Sequence, residues 1–445
     1  MNRQAETLAR EFDAARAETL RLFDLCDERD LHESPGFGYR PVIWHLAHIG
    51  VFEAYWLLQK AQGLGAPDAR YERVFDPIST PREESKNLPS RAEMEAYLSR
   101  VRGPALDYLA GFDFDSRDPL KRGGYVFGLV LEHERQHQET LCYLLQLLDP
   151  SKKTRPETRP ADKDAAGKDV EAAGGGAGAT HEASGMVSIP AGAFLMGAAW
   201  DSFAYDNELP AREVFVPAFR LARTPVTNGE FARFVEEGGY GRRELWTEEG
   251  WAWREKEAWT HPLYWRREGA HGWSERGMFG ESALRPEHPV TGVSFHEAEA
   301  YARFAGRRLP TEAEWEKAAS WDESDGTKRR FAWGDEAPDG SRCNHGTASW
   351  GTTPVGHFPR GASAYGCLDM TGNVWEWTST PFDAFPGFEP FPYPEYSQVW
   401  FDGDHRVLKG GSWATYDSVL RASFRNFFRR HFRIAFAGIR LAGDA

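Results

Sequence analysis

Apolar residues recur at spacings of three and four in four stretches of the first 149 residues, and this period predicts amphipathic helices. The four stretches are residues 5–26, 41–62, 91–108 and 126–148. Four such helices favour a bundle, in whose core side chains from facing helices build metal and ligand sites. Residues 1–149 are therefore expected to form one helical domain.

The pattern changes after residue 149. Residues 150–184 are first charged and proline-bearing and then rich in glycine and alanine, which predicts a flexible linker. From residue 185 to residue 445, short apolar runs alternate with turn residues, and only residues 228–237 and 295–304 have a helical period. A chain of 445 residues is too long for one core, so we predict a second domain of mixed helix and strand over 185–445.

Aromatic side chains are abundant in this chain, which has 17 Trp, 29 Phe and 15 Tyr. Such residues fill large cores and line pockets. Six of the tryptophans fall within residues 246–273. This cluster is interpreted either as a loop-rich core held by indole rings or as an aromatic pocket near a ligand.

Charge and cysteine content narrow the function classes. The net charge of −14 argues against a nucleic-acid groove and against binding to an anionic membrane surface. No apolar run has the length of a membrane span, and the N-terminal residues lack the apolar core of a signal peptide. The four cysteines form no CxxC pair, which is typical of a reducing cytoplasm, where we expect the protein to act.

The run HERQH at residues 133–137 carries the clearest candidate chemistry. It has the form H-E-x-x-H within a predicted helix, where positions four apart lie nearly one above the other. His133 and His137 therefore leave the same face of the helix and are able to share a metal ion. A single metal ion that keeps positions open for chemistry needs a third protein ligand.

The candidates for this third ligand are His45 and His48, on the second predicted helix. Positions three apart are separated by about 300° around a helix, so the two side chains lie on neighbouring faces. One ligand from the pair is therefore easier to place than two. Three imidazoles from two helices of a bundle would form a compact site.

An H-E-x-x-H run also occurs in zinc proteases, where the glutamate is the general base. Metzincins add a glycine and a third histidine downstream, but here His137 is followed by QETLC. Gluzincins need a further helical glutamate, whereas this chain soon enters the predicted linker. The sequence therefore disfavours a protease, and Glu134 is expected to support the ligands or the fold.

Several motifs resemble one known two-domain family. Residues 44–50 (WHLAHIG) and 133–140 (HERQHQET) resemble the DinB-like four-helix bundle of ergothioneine-pathway sulfoxide synthases, a family that includes the related selenoneine synthase. The second domain resembles the formylglycine-generating-enzyme fold, which is C-type-lectin-like. The motifs of that fold are residues 189–192 (IPAG), 308–316 (RLPTEAEWE), 372–377 (GNVWEW), 409–413 (KGGSW) and 437–441 (AGIRL).

This resemblance implies a non-haem iron(II) enzyme. Such an enzyme uses O2 to join a sulfur or selenium donor to the imidazole C2 of hercynine, the trimethylated betaine of histidine. His48, His133 and His137 match the three iron ligands of the family, and Gln136 matches a glutamine that holds hercynine. Neutral imidazoles also suit Fe(II) on chemical grounds, and three of them leave three positions for O2, the donor and the substrate.

The resemblance extends to candidate residues in the second domain, which is expected to close the pocket. The family's tyrosine that donates a proton or an electron follows the GNVWEW run, so Tyr393 and Tyr396 are the candidates, and we favour Tyr393. The family's betaine-binding run R-N-W-D reads RNFF here, so Asn426 matches, while Phe427 and Phe428 replace the tryptophan and the acid. A phenyl face still attracts a quaternary ammonium group, although less strongly than an indole.

The chain departs from the pattern of the family branch that uses γ-glutamylcysteine as its donor. That branch has two arginines three residues apart in a loop between the helices. In this chain Arg82 matches the first arginine, but Ser85 replaces the second. This departure favours a donor with fewer carboxylates, either cysteine or the selenosugar of the selenoneine synthase, and it leaves γ-glutamylcysteine open as a third donor. The predicted partners are thus hercynine, O2 and a thiol or selenosugar donor.

Three other functions are weighed against this one. Formylglycine generation needs a cysteine pair after the GGS run, but no cysteine follows Gly411. A DinB-like metal-dependent thiol transferase shares the three-histidine site but leaves the second domain unexplained. A non-catalytic lectin-like binding protein is also compatible with the second fold, because a fold does not determine function. The intact set of histidines argues against this last alternative.

Overall fold

The computed structural model describes residues 2–36, 38–77, 80–157, 185–199, 203–269 and 272–445. These residues form two compact units. The first unit holds the described residues up to Glu157 together with Met278–Gly280, and the second unit holds the others. Residues 158–184 of the predicted linker lie outside the described residues, so the predicted domain boundaries stay a prediction.

The first unit is helical, as predicted from the apolar period. Its helices are α1 (Arg3–Phe23), α2 (Glu28–Leu31), α3 (Trp44–Glu53), α4 (Ala69–Phe75), α5 (Arg91–Ala110) and α6 (Tyr125–Leu147). The long helices pack in the pairs α1–α6, α3–α5, α3–α6 and α1–α5. The stretch predicted as one helix over 41–62 continues from α3 as a π-helix, Ala54–Lys60. Wider turns of this type are frequent at functional sites.

Side-chain caps and one glycine fix the long helices of the bundle. Asn2 caps α1 by accepting a hydrogen bond from the Ala5 amide at 2.8 Å, and Ser90 and Glu93 form a capping box on α5. Helix α3 lies very close to α5, because a Cβ atom at Gly50 would be only 2.5 Å from Leu98. Almost every side chain of α3 is buried, so its histidines lie inside the bundle rather than on its surface.

Residues 150–157, which belong to the predicted linker, are described and pack on the first unit. Lys153 is buried and donates hydrogen bonds from its ammonium group to the carbonyls of Leu145 (2.6 Å) and Leu148 (3.2 Å). A cation at this position satisfies the last carbonyls of α6 and interacts favourably with the helix dipole. The first unit therefore continues beyond the end of α6.

The second unit combines helices with short strands. Its helices are α7 (Asn228–Glu236), α8 (Glu248–Lys256), α9 (Phe295–Phe304) and α10 (Glu312–Ser320). Its strands are β1 (Met186–Ile189), β2 (Gly192–Met196), β3 (Arg212–Val216), β4 (Phe219–Ala222), β5 (Trp265–Glu268), β6 (Gly272–Arg276), β7 (Glu281–Ala283), β8 (Trp321–Asp322), β9 (Thr327–Lys328), β10 (Trp375–Pro381), β11 (His405–Lys409), β12 (Asn426–Arg429), β13 (Ala437–Gly438) and β14 (Ala442–Asp444). Helices α7 and α9 were expected from the sequence, whereas α8 and α10 were not.

The largest sheet of the second unit has the strand order β12-β11-β10-β13. Strands β10, β11 and β12 are antiparallel neighbours, and β13 runs parallel to β10. In this register Phe427 lies opposite Val407, and Asn426 lies opposite Leu408. Neighbouring residues of a strand point to opposite faces of the sheet, so Phe427 and Phe428 face different surroundings.

Tryptophans and buried ion pairs form the core of the second unit. Trp315 on α10 is fully buried and donates a 2.6 Å hydrogen bond from its indole nitrogen to Glu376, which also pairs with Arg440 at 2.7 Å. In the cluster over 246–273, Trp246, Trp259 and Trp265 are buried, which favours the interpretation of these residues as core.

Two general features complete the description. No helix in the described part of the chain has the length and hydrophobicity needed to span a membrane. The cysteines Cys26, Cys142, Cys343 and Cys367 are buried and carry free thiols.

Candidate metal centre

Three histidines from two helices meet inside the first unit. His133 and His137 lie one turn apart on α6, with ring centroids 4.5 Å apart. His48 on α3 faces both, with its ring centroid 5.0 Å from that of His133 and 4.8 Å from that of His137. One possible ligand atom from each of the three side chains lies within 4.8 Å of the others. This separation suits three ligands around one metal ion.

The ring of His48 has a defined orientation. Its Nδ1 atom lies 2.8 Å from the carbonyl oxygen of Phe75, at the end of α4. A carbonyl only accepts hydrogen bonds, so Nδ1 of His48 carries the proton and Nε2 has the free lone pair. A hydrogen bond of this kind is the usual way in which a protein orients a histidine ligand.

His133 offers an independent test of whether the site fits a metal. Its ring stacks on Phe52, with centroids 3.6 Å apart and planes 4° apart. Its Nδ1 atom is buried and has no hydrogen-bond partner among the described residues. Buried polar atoms rarely stay unpaired, and a nitrogen-rich cluster with such an atom fits a metal ion that prefers imidazole.

The three imidazoles are held in the form that binds metals. Burial lowers the pKa of His48 to about 4, and it lowers the pKa of His133 and of His137 well below the ordinary value for histidine. A histidine binds a metal ion as the neutral ring. At neutral pH the three rings are therefore ready for a metal without first losing protons.

The structure also distinguishes the two candidates for the third ligand. His48 belongs to the group of three, whereas His45 does not. His45 is next to His137, and the Nδ1 atoms of the two rings are 3.1 Å apart. Because the sequence alone left both histidines open, the rotation of α3 relative to α6 is what favours His48.

Glu134, between the two histidines of α6, belongs to a buried cluster of charges. Its Oε1 atom accepts hydrogen bonds of 2.8 Å from Arg16 and from Thr19, both on α1. Arg102 on α5 is 3.3 Å from the other oxygen, and Arg16 and Arg102 also pair with Glu53 of α3, at 2.8 Å and 2.7 Å. This cluster of two guanidinium groups and two carboxylates connects the four long helices.

The electrostatics of Glu134 argue against its being a general base. Burial by itself would raise the pKa of this carboxyl, but the charges of Arg16 and Arg102 outweigh burial and hold the pKa below its usual range. A base that is fully paired with two guanidinium groups has little tendency to accept a proton. The geometry therefore agrees with a structural glutamate.

The substrate candidates of the first unit lie on different elements. Gln136 is half-buried on α6, next to His137. Arg82 is exposed in a short 3-10 helix and donates a 2.8 Å hydrogen bond to the carbonyl of Gly38. Ser85 is buried, and its hydroxyl accepts a 2.5 Å hydrogen bond from Arg40. Ser85 replaces an arginine of the γ-glutamylcysteine branch, but the guanidinium group of Arg40 lies beside it.

Arg40 was not expected from the sequence. Its guanidinium group lies over the ring of Trp44, 4.3 Å from the ring centre. Trp44 in turn stacks on His48, with ring centroids 4.6 Å apart, which brings Arg40 near the imidazole cluster. The only signal for Arg40 in the sequence was its place four residues before Trp44, at the start of an apolar stretch.

The substrate candidates of the second unit lie on β12 and in one loop. Phe427 stacks on Phe382, with ring centroids 3.9 Å apart, and its ring centroid is 6.4 Å from that of Tyr396. Phe428 instead stacks on Phe432, with centroids 4.6 Å apart. The structure therefore brings Phe427 together with the aromatic loop, and Phe428 belongs to another group.

Asn426 and Tyr393 complete the set of predicted residues. The side-chain oxygen of Asn426 accepts a 2.9 Å hydrogen bond from the Phe427 amide. Tyr393 is half-buried, its ring centroid lies 6.3 Å from that of Tyr396, and burial raises the pKa of its phenol. Its hydroxyl therefore keeps its proton at neutral pH and remains a hydrogen-bond donor.

Asp206 anchors the loop that carries Tyr393. Its carboxylate accepts a hydrogen bond from the hydroxyl of Ser397 and a 3.2 Å hydrogen bond from the amide of Phe391. These bonds hold the loop on both sides of Tyr393. Asp206 was not singled out from the sequence, because a lone aspartate so distant along the chain gives no signal of this contact.

Family models match both parts of the chain. A model described as "Sulfatase-modifying factor enzyme 1-like domain" matches residues 175–445, and the DinB superfamily model matches residues 11–141. Together these matches confirm the predicted fold class, a DinB-like helical domain followed by a formylglycine-generating-enzyme-like domain.

Several curated proteins resemble the whole chain. A hercynine oxygenase of Mycolicibacterium smegmatis is 40% identical over 99% of this chain and 99% of its own length. A hercynine oxygenase of Mycobacterium tuberculosis is 41% identical, again over 99% of both chains. The formylglycine-generating enzyme of Mycobacterium tuberculosis is 36% identical, but it covers only 44% of this chain and 74% of its own length.

Among solved structures, PvdO from Pseudomonas aeruginosa is similar to part of the chain. The two share 23% sequence identity with a TM-score of 0.41, over 58% of this chain and 94% of PvdO.

Proposed function

Because this chain belongs to the hercynine oxygenase family, we propose that it is an enzyme that acts on hercynine, with Fe(II) as cofactor and O2 as oxidant. The observation that carries the proposal is the group of His48, His133 and His137, three neutral imidazoles from two helices. The relatives at about two-fifths identity match both domains, so the proposal includes the second unit.

The three histidine ligands suit the proposed cofactor, Fe(II). Imidazole is a good ligand for Fe(II), and three imidazoles leave three positions of an octahedral ion open. Bound iron would activate O2 and thereby supply the oxidant that an unreactive imidazole carbon needs. Joining C2 to sulfur or selenium removes one hydrogen atom from each partner. O2 would take up both hydrogen atoms with their electrons and leave as hydrogen peroxide, or it would add one oxygen atom to the sulfur or selenium and release the other as water. The protein has to hold the partners, orient them and control protons.

Residues of the first unit would perform part of this task. The Phe75 carbonyl directs Nε2 of His48 away from the backbone, so this ligand needs no reorientation. Gln136, next to His137, has an amide that donates and accepts hydrogen bonds, which suits the imidazole of hercynine. Arg82 would bind a carboxylate of the donor, because a guanidinium group forms strong charge-assisted hydrogen bonds.

Residues of the second unit would serve the same reaction. Phe427 offers an aromatic face to the quaternary ammonium group of hercynine. We propose Asn426 and Phe428 as further substrate contacts on β12, and Tyr393 as the donor of a proton or an electron. Burial raises the pKa of Tyr393, so its phenol stays protonated and carries the proton that this role requires.

For the donor, we propose cysteine or a selenosugar rather than γ-glutamylcysteine. Ser85 replaces the second arginine of the γ-glutamylcysteine branch, and its hydroxyl is already bound to Arg40. We further propose that the protein acts in the cytoplasm, where its free thiols stay reduced.

The test is anaerobic reconstitution with Fe(II), followed by exposure to O2 with hercynine and one of three donors: cysteine, γ-glutamylcysteine or a selenosugar. We expect one iron per chain, hercynine-dependent O2 consumption, and a product in which mass spectrometry finds the donor atom on C2. His133→Ala should lose both iron and turnover. Full activity with zinc alone would instead favour the thiol transferase, and hercynine-independent O2 uptake would contradict the substrate assignment.

Donor specificity has its own control. Arg82→Ala should raise the KM for cysteine by about tenfold, the size of one charge-assisted hydrogen bond, while Arg70→Ala, which removes another exposed arginine, should not. A selenosugar without a carboxylate should be insensitive to Arg82→Ala. An equal effect on both donors would argue against carboxylate binding by Arg82.

A further inference from the structure

His45 and His137 form a direct imidazole pair inside the first unit. Their Nδ1 atoms are 3.1 Å apart, and only 8% of the surface of His45 is exposed. Two neutral rings at this distance share one proton, which lies on Nδ1 of one ring while Nδ1 of the other accepts the hydrogen bond. The pair therefore has two possible arrangements, and they have different consequences for metal binding.

In the first arrangement, Nδ1 of His137 carries the proton, and Nδ1 of His45 accepts the hydrogen bond. The Nε2 atom of His137 then has a free lone pair. In the second arrangement, His45 donates to His137, whose own proton must then be on Nε2. That proton would block Nε2 of His137 as a ligand.

His48 shows which arrangement matches the rest of the site. The Phe75 carbonyl forces the proton of His48 onto Nδ1 and leaves Nε2 free. In the first arrangement, His137 has the same tautomer as His48. Only the hydrogen-bond acceptor differs: Nδ1 of His48 donates to the Phe75 carbonyl, and Nδ1 of His137 donates to the His45 ring.

We infer that His45 is a positioning residue, which accepts a hydrogen bond from Nδ1 of His137 and so keeps Nε2 of His137 free for the metal ion. This inference rests on the proposed metal site. His45 then carries its own proton on Nε2 and is not a fourth ligand, in agreement with its absence from the group of three.

Two substitutions separate this role from packing. His45→Phe keeps a ring of similar size but has no acceptor. His45→Asn places a side-chain oxygen near the position of Nδ1 and so keeps an acceptor. As a control, His296→Phe removes a buried histidine of the second unit, whose ring nitrogens have no hydrogen-bond partner among the described residues.

The readout is Co(II) binding by the full chain, followed by chelator competition and by the visible absorption of the bound ion. Losing the partner of a histidine ligand typically lowers metal affinity by about 10–100-fold. We expect His45→Phe to show this loss with an unchanged absorption pattern, and His45→Asn to stay within about threefold of the wild type. His296→Phe should bind Co(II) as the wild type does.

Wild-type affinity in His45→Phe would overturn the inference. A changed absorption pattern in both His45 variants would also overturn it, because it would identify His45 as a ligand. If the wild-type protein itself bound no Co(II), the proposed metal site would fail instead, which is a distinguishable result.

A second measurement needs no variant. In the Zn(II)-loaded wild-type protein with 15N-labelled histidine, we expect NMR to show His137 protonated on Nδ1 and His45 protonated on Nε2. A proton on Nδ1 of His45 would overturn the inference even if His45→Phe failed to fold.

Discussion

The carboxylate of Glu134 lies 2.8 Å from the guanidinium group of Arg16, whereas His133 and His137, which flank it in the sequence, meet His48 instead. An H-E-x-x-H run thus serves two purposes in one helix. The histidines meet His48, while the glutamate joins α6 to α1 and α5 through Arg16 and Arg102.

Glu134→Gln should therefore reduce stability much more than catalysis. The substitution leaves two buried guanidinium groups with one carboxylate, and breaking a buried pair costs about 3 kcal/mol. Urea unfolding should show this loss, while the folded variant keeps kcat within about tenfold of the wild type, because no proton transfer is assigned to Glu134.

Glu53→Gln is the matched control, since Glu53 belongs to the same charge cluster but lies on α3. Both variants should lose similar stability and keep similar activity. A fall in kcat of about a thousandfold in Glu134→Gln alone would identify a general base and contradict the structural role.

The sequence predicted the helical faces well where burial is one-sided. Helix α9 has the bounds expected from its apolar period, and α6 carries His133 and His137 on one face as expected. Helix α10 was missed although Thr311 and Glu314 form a capping box at its start. Its residues are buried nearly all round, so no apolar period separates one face from another.

Contacts between elements distant along the chain were not predictable in this way. The choice between His45 and His48 depends on how α3 is rotated against α6. The pairing of Glu134 with Arg16 joins residues 118 positions apart, and neither side chain shows in its local sequence that it has a buried partner. Tertiary packing, rather than local propensity, determines both features.

Asp206 should make the stability of the second unit depend on pH. Burial raises the pKa of this carboxyl to about 6, from an ordinary value of 3.8, despite its hydrogen bonds to Ser397 and Phe391. The folded state therefore favours the protonated form. The stabilisation is complete below pH 3.8 and is lost as the pH rises through about 6, a change of about 3 kcal/mol.

This pH dependence is measured as the free energy of unfolding between pH 4 and pH 7. Asp206→Asn should reduce the slope in this window, because an amide does not titrate there. Part of the slope should remain, because burial raises the pKa of Asp369 to about 6 as well. Asp383→Asn, which changes an exposed aspartate in the same part of the chain, should leave the slope unchanged. An identical slope in Asp206→Asn and the wild type would contradict the raised pKa.

Substitutions of Phe427 and Phe428 should differ in their effect on the affinity for hercynine. They point to opposite faces of β12, and only Phe427 lies in the aromatic group with Phe382 and Tyr396. Phe427→Leu should weaken hercynine binding by about 1 kcal/mol, the size of a cation–π contact, or roughly fivefold in Kd. Calorimetric titration of the metal-loaded protein measures this change.

Phe428→Leu is the comparison for this experiment, and it should weaken hercynine binding less than Phe427→Leu does, because the Phe428 ring stacks on Phe432 outside this aromatic group. Iron content should be unchanged in both variants. The reverse order of effects would show that the betaine meets the other face of β12, and equal effects would indicate a general disturbance of the sheet.

Tyr393→Phe should slow the reaction without weakening substrate binding. The substitution removes only the hydroxyl, and loss of a positioned proton donor lowers kcat by about 10²–10⁴-fold. Tyr396→Phe is the matched control, because its ring stacks on Tyr205 with centroids 3.9 Å apart, a contact that needs no hydroxyl.

Since burial raises the pKa of Tyr393, wild-type kcat should also show no loss from phenol ionisation up to about pH 10. Steady-state kinetics with product analysis by mass spectrometry measures both effects, and a larger fall in kcat for Tyr396→Phe would move the assignment to Tyr396.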